Sequence, residues 1–177
     1  MSRSIAKWTA IALACLSPPT VEAARAHVVA RPDSGTAGSS IETEFNVSHG
    51  CDGSETVSIA MKIPDGVLFV KPKFKPGWTV VIKKRKLPDA VPALHGKTVV
   101  ETVDEIVWRG GPLPNDLYDT FAVRMRLPNT PGQTVYFPIV QQCRKGVHRW
   151  IEIPPEGKAW GDMHAPPPFV KIVPKAP

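Results

Sequence analysis

The sequence has only three cysteines in 177 residues, and no two of them form a C-x-x-C pair. This spacing argues against a thiolate metal site, which commonly uses such pairs. The sequence also lacks a Ser-His-Asp pattern, a glycine-rich phosphate loop and paired catalytic carboxylates, so hydrolytic and nucleotide-binding functions have no support. After the N-terminal segment, no run is apolar enough to cross a bilayer.

Short β-forming runs separated by turn residues make up most of the chain. Its 20 prolines disfavour long helices. Apolar and polar residues alternate clearly over residues 56–63 and 121–127, as in strands with one buried face. Many short strands at regular spacing predict a single all-β domain, an antiparallel β-sandwich of two sheets.

The predicted strands cover residues 27–31, 41–47, 55–63, 78–83, 98–100, 105–108, 119–126, 134–139, 147–153 and 169–173. Two polar, proline-containing segments, residues 84–96 and 154–168, are predicted as loops. The domain is expected to span residues 27–174, followed by a frayed tail at 175–177.

Residues 1–26 have the three parts of a secretory signal peptide. Positive charges lie in residues 1–7, an apolar run too short for a membrane span follows at 8–16, and Ala24-Arg25-Ala26 is an A-x-A cleavage site. Cleavage there makes His27 the first residue of an exported, soluble, periplasmic protein. Its free α-amino group and its imidazole Nδ1 can then bind one metal ion together.

Two other fates of the N-terminus remain open. Cleavage after Ala23 or Ala24 would leave His27 a few residues inside the mature chain. A lipoprotein signal would place Cys15 at the terminus, although Ala12-Leu13-Ala14 fits such a signal poorly. Either outcome removes the two-nitrogen chelate at His27.

Two cysteines, Cys51 and Cys143, remain after removal of the signal peptide. An even number in an oxidising compartment favours a disulfide between them, with a thiolate metal site as the alternative.

Net charge falls from +6 to +4 on cleavage, because three basic residues and one acidic residue are lost. We expect the lysine-rich segments to form a solvated face rather than a nucleic-acid surface.

Several short motifs occur in order along the mature chain and resemble those of the YcnI-like copper-binding domain. They are His27-Val28-Val29, Ala37-Gly38-Ser39, His49-Gly50-Cys51-Asp52-Gly53, Lys75-Pro76-Gly77-Trp78, Trp108-Arg109-Gly110-Gly111, Phe137-Pro138, Gln142-Cys143, Gly146 followed by Trp150, and Ala165-Pro166-Pro167. The resemblance implies an Ig-like or cupredoxin-like sandwich that binds Cu(II). It also implies copper trafficking, with a periplasmic copper chaperone or copper transporter as partner.

The resemblance further implies that His27 binds the metal and that Trp150 lies close to it. The family site also includes a carboxylate. In an ungapped comparison Ile41 occupies the acidic position and Glu42 follows it, so Glu42 is the candidate carboxylate. His49, two residues before Cys51, is a further candidate ligand, and His148 alternates with Trp150 along one strand.

Cu(II) suits an amine and imidazole pair because it prefers nitrogen and oxygen donors in a tetragonal arrangement. Both nitrogens must be unprotonated, so affinity falls at acid pH. Two other functions stay open. A copper-dependent oxidative enzyme would need a second histidine such as His49, and a metal-free β-sandwich interaction module would need no copper. The favoured prediction is a non-enzymatic Cu(II)-binding protein with no substrate.

Overall fold

A computed structural model describes residues 27–93 and 96–176 of the chain. The predicted signal peptide, residues 1–26, and the last residue of the predicted tail, Pro177, lie outside this part. The described residues are nearly all β, which confirms the predicted fold class. The strands are β1 (Val29–Arg31), β2 (Ser34–Thr36), β3 (Ser40–Val47), β4 (Thr56–Lys62), β5 (Leu68–Pro72), β6 (Trp78–Pro92), β7 (Thr98–Leu113), β8 (Asp119–Arg126), β9 (Thr134–Tyr136), β10 (Ile139–Cys143), β11 (Val147–Trp150) and β12 (Phe169–Val173).

Two antiparallel sheets form the sandwich. One has the order β1-β3-β8-β5 and the other β11-β10-β4-β7-β6. Their inner faces meet through aromatic side chains: the Trp108 and Phe121 rings lie 5.3 Å apart, and those of Phe45 and Phe137 lie 5.1 Å apart. All four side chains are fully buried. The alternation read from the sequence therefore directs the apolar faces into one shared core.

A third, small sheet was not predicted. It has the order β2-β12-β9, and β12 runs parallel to β2 although it is antiparallel to β9. The sequence of β2, Ser34-Gly35-Thr36, has little strand propensity, so tertiary pairing with Ile172 and its neighbours decides its conformation. β5 was also not predicted, because its residues, Leu68-Phe69-Val70-Lys71-Pro72, do not alternate between apolar and polar; Phe69 has a left-handed φ of 53°.

The predicted loop at residues 84–96 was wrong over most of its length. β6 continues to Pro92 and pairs with β7, which joins the two strands predicted separately at 98–100 and 105–108. β6 is the last strand of its sheet, and an edge strand tolerates Pro88 and Pro92 because one side needs no partner. We call residues 84–101 the β6–β7 arm.

The predicted disulfide is confirmed. Cys51 and Cys143 are bonded, with their Cα atoms 5.9 Å apart, and both are buried. The bond joins the loop after β3 to the end of β10, and thus connects the two sheets at one end of the sandwich. That end also receives the predicted loop 154–168, which contains only a short 3-10 turn, Trp160–Asp162.

Candidate metal centre

His27 lies just before β1, between two indole rings. Its imidazole centroid is 5.6 Å from that of Trp150 and 5.0 Å from that of Trp160, and both contacts are edge-on. Trp150 ends β11, whereas Trp160 begins the 3-10 turn of the long loop. The tertiary fold therefore brings together the first residue of the domain and two segments more than 120 positions away in the sequence.

One main-chain contact orients the His27 ring. Its Nε2 lies 3.3 Å from the carbonyl oxygen of His164. A carbonyl only accepts hydrogen bonds, so Nε2 carries the proton and donates it. In the neutral ring, Nδ1 is then the nitrogen with the lone pair. Metal-binding histidines are commonly oriented in this way, with the other ring nitrogen donating to a carbonyl.

Glu152 holds the loop that carries this carbonyl. One of its carboxylate oxygens accepts hydrogen bonds from the main-chain N–H groups of His164 and Ala165, both at 3.1 Å. The Glu152 N–H in turn donates to the Ala165 carbonyl at 3.1 Å. Glu152 is not among the residues predicted from the sequence. Its spacing of two residues from Trp150 was a usable signal, since alternate residues of an extended chain share a side.

Trp150 is fixed by a buried polar network centred on Gln141. The Trp150 Nε1–H donates to the Gln141 side-chain oxygen at 3.1 Å. The Gln141 amide nitrogen donates to the His49 carbonyl at 2.7 Å and to the Thr56 hydroxyl at 2.8 Å. Gln141 is only 1% exposed, so these bonds replace its contacts with water. Gln141 is likewise not among the residues predicted from the sequence, although it is a polar residue at an inward position of β10.

His49 and His148 lie on the same end of the sandwich. Their ring centroids are 5.7 Å apart, and those of His148 and Trp150 are 5.2 Å apart. Partial burial lowers the pKa of His148, and repulsion from His49 lowers it further, while Asp52 acts in the opposite direction. His148 is therefore favoured as a neutral imidazole. We call the group of His27, His49, His148, Trp150 and Trp160 the histidine end.

Glu42 is not part of this group. It lies on β3 opposite Arg124 and its carboxylate is 3.5 Å from the Lys73 ammonium. The β1–β3 register pairs Val29 with Asn46, which places His27 beyond the other end of β3, roughly 20 Å from Glu42 along the strand. The structure thus brings His27, Trp150 and His49 together, and it leaves Glu42 out.

Within residues 27–93 and 96–176, no three His, Cys, Asp or Glu side chains are grouped so that they could hold a metal ion. A metal at His27 would therefore need donors other than a third side chain, such as the α-amine or water.

In residues 27–93 and 96–176, no helix is long and apolar enough to cross a membrane.

Comparison with known proteins gives a family and a fold. A family model described as a domain of unknown function, DUF1775, matches residues 27–172. No curated protein matches the chain. The crystal structure of an uncharacterized protein from Nocardia farcinica, described as having an immunoglobulin-like fold, is similar with a TM-score of 0.62 and 19% identity. The match covers 83% of this chain and 98% of that protein, and at this identity it supports the Ig-like sandwich alone.

Proposed function

The chain belongs to the DUF1775 family, and we propose that its exported form is a non-enzymatic Cu(II)-binding protein. Copper is held by the α-amine and the Nδ1 of His27, once cleavage after Ala26 has freed the amine. The protein takes part in copper trafficking in the periplasm and exchanges the ion with a copper chaperone or a copper transporter. These points extend the resemblance to YcnI-like copper-binding domains noted in the sequence.

The contact between His27 Nε2 and the His164 carbonyl is the observation that carries the proposal. It favours the tautomer in which Nδ1 is free of a proton, which is the nitrogen that forms a chelate ring with the residue's own amine. Amine and imidazole nitrogens are donors that Cu(II) prefers, and Cu(II) leads the affinity order of the divalent first-row metals. The residues present therefore fit this ion.

Each neighbouring residue has a defined task at this site. Glu152 keeps the His164 carbonyl in place through two hydrogen bonds, and the carbonyl orients the His27 ring. The indoles of Trp150 and Trp160 cover the ring edge-on and limit its rotation. Bound copper would supply a cation for transfer. His27 would bind this ion, and Glu152, Trp150 and Trp160 keep the His27 ring in position.

The decisive experiment compares the mature protein beginning at His27 with a form carrying one added alanine before His27. The extra residue turns the α-amine into an amide and leaves the imidazole unchanged. We expect the affinity for the first equivalent of Cu(II) to fall at least about tenfold, which corresponds to about 1.4 kcal/mol. Competition titration measures the affinity, and electron paramagnetic resonance follows loss of the amine nitrogen from the copper spectrum.

A variant with His164→Ala is the matched control. It removes an exposed histidine from the same end of the molecule but retains the main-chain carbonyl that contacts His27. Its copper affinity should equal that of the mature protein. Equal affinity of the alanine-extended form would contradict the proposed chelate, and an intact mass showing cleavage at another bond would contradict the proposed terminus.

A further inference from the structure

The two imidazoles of His49 and His148 converge on one main-chain oxygen. His49 Nδ1 lies 2.5 Å from the Gly50 carbonyl oxygen. His148 also forms a hydrogen bond with the main chain of Gly50. Since a carbonyl only accepts, each ring directs one nitrogen at the same point. The two ring nitrogens therefore lie around the Gly50 carbonyl oxygen, although the two histidines are 99 positions apart in the sequence.

The spacing of the rings is compatible with one shared metal ion. A metal–nitrogen distance of about 2.0 Å places the centroids of two imidazoles on one metal roughly 4.5 to 6.4 Å apart, depending on the angle at the metal. The centroids of His49 and His148 are 5.7 Å apart, and the ring planes meet at 80°. The rings therefore need little movement to bind the same ion.

The loop that provides the convergence point is held from several directions. The Gly50 N–H donates to the Asn115 side-chain oxygen at 3.2 Å, and the His49 carbonyl accepts from Gln141 at 2.7 Å. Cys51 follows directly and is bonded to Cys143. A side chain on Gly50 would place its Cβ 1.9 Å from the Ser54 carbonyl oxygen, so only glycine allows this tight turn. Such restraint reduces the cost of ordering a ligand set on binding.

We propose that His49, His148 and the Gly50 carbonyl form a second metal site, for a nitrogen-seeking divalent cation such as Cu(II). On binding, each neutral imidazole carries its proton on the outer nitrogen and presents the inner nitrogen to the ion. Asp52, close enough to act electrostatically on His148, supplies a compensating negative charge. Water completes the coordination. The proposed site has two ligating side chains, His49 and His148. It is therefore consistent with the absence, among the described residues, of any group of three His, Cys, Asp or Glu side chains that could hold a metal ion.

This site differs from the His27 chelate in what it requires. It uses no α-amine, so it does not depend on the cleavage position or on the proposed function. Trp150 contacts a histidine of each site: its ring centroid is 5.6 Å from that of His27 and 5.2 Å from that of His148. Both sites therefore share one buried indole, which makes its fluorescence a reporter for either.

The test uses the processed protein with His27→Ala, which removes the first imidazole, and titrates it with Cu(II). We expect one equivalent to bind with two coordinated imidazoles, counted by electron spin-echo envelope modulation. Adding His49→Gln or His148→Gln should lower the affinity at least about tenfold each, and the two changes together should abolish binding. Glutamine keeps the polarity of each position, and circular dichroism checks that the variants remain folded.

His164→Gln in the same background is the control, since it removes a nearby exposed histidine that the site does not use. It should leave the affinity and the imidazole count unchanged. The proposal is overturned if the His27→Ala protein binds no Cu(II), or if its binding survives the double change at His49 and His148. In the protein that carries both His49→Gln and His148→Gln, an unchanged affinity after adding alanine before His27 would instead refute the amine chelate alone.

Discussion

The histidine end and the β6–β7 arm hold their polar side chains in opposite ways. At the histidine end, Gln141 is buried and forms three hydrogen bonds that reach Trp150, His49 and Thr56. In the arm, none of the described residues is buried, and the Lys84 ammonium lies 3.9 Å from the Glu101 carboxylate with both side chains largely exposed. Buried hydrogen bonds fix side-chain positions, whereas exposed ion pairs are screened by water. A preformed ligand set is therefore expected at the first region and not at the second.

Of the changes considered, removing the disulfide at the histidine end should lower the free energy of unfolding most. The double change Cys51→Ala and Cys143→Ala opens a link between residues 92 positions apart. In the chain-entropy model such a link contributes about 4 to 5 kcal/mol to the free energy of unfolding. Urea denaturation under oxidising conditions measures the loss. A loss below about 1 kcal/mol would show that the disulfide does not stabilise the histidine end.

The Gln141 network should contribute the next largest effect. Gln141→Leu removes three hydrogen bonds and leaves the Trp150 N–H and the His49 carbonyl without this partner. We expect a loss of about 2 to 3 kcal/mol in the free energy of unfolding. Gln142→Leu is the matched control, because that side chain is exposed on the neighbouring position and should change stability by less than about 1 kcal/mol. Equal losses in the two variants would contradict a special role for the buried network.

His148 should make stability depend on pH. Its pKa is lowered in the folded protein, first by burial and then by His49, relative to 6.5 in the unfolded chain. As pH falls through 6.5 towards the folded pKa, the unfolded state binds more protons, so the free energy of unfolding decreases. His148→Gln should remove this part of the decrease. Denaturation of the metal-free protein at pH 7.5 and pH 5 measures it, and the prediction fails if both proteins lose the same stability.

The arm should show the smallest effect. Lys84→Ala breaks an exposed ion pair and is expected to change the free energy of unfolding by no more than about 0.5 kcal/mol. Its copper affinity should equal that of the unchanged protein, since Lys84 belongs to no part of the histidine end. A stability loss above about 1 kcal/mol, measured in urea, would remove the distinction between the two regions.

Prediction from the sequence worked best where one strand has one buried face. β8 and β12 match the predicted bounds, and every second residue along each of them is buried: 121, 123 and 125 in β8, and 170 and 172 in β12. It was wrong for residues 84–96, where lysines and prolines read as a loop. An edge strand exposes one side to water and accepts these residues, but the sequence does not say which strand lies at an edge.

Some residues of the candidate site were predicted from the sequence and others were not. His27 was predicted from a cleavage pattern and His49 from its place two residues before Cys51. The cysteine pair was predicted from an even cysteine count, and Trp150 from the resemblance to YcnI-like domains. Glu152 and Gln141 were missed, since each acts through contacts with a distant segment: the His164 loop for one and the His49 loop for the other. Glu42 was singled out by its position in a motif, yet it lies on the far part of β3.

The amino-acid sequence alone predicted the all-β class, a disulfide between Cys51 and Cys143, and the position of a histidine that cleavage could expose. Periodicity and peptide-bond context are properties of neighbouring residues, and the cysteine pair follows from a count over the sequence, so these predictions need no three-dimensional information. Only the tertiary structure decided that His27, His49 and His148 share one end of the sandwich and contact one indole. Strand pairing sets such distances, and pairing depends on which faces bury together over the whole chain.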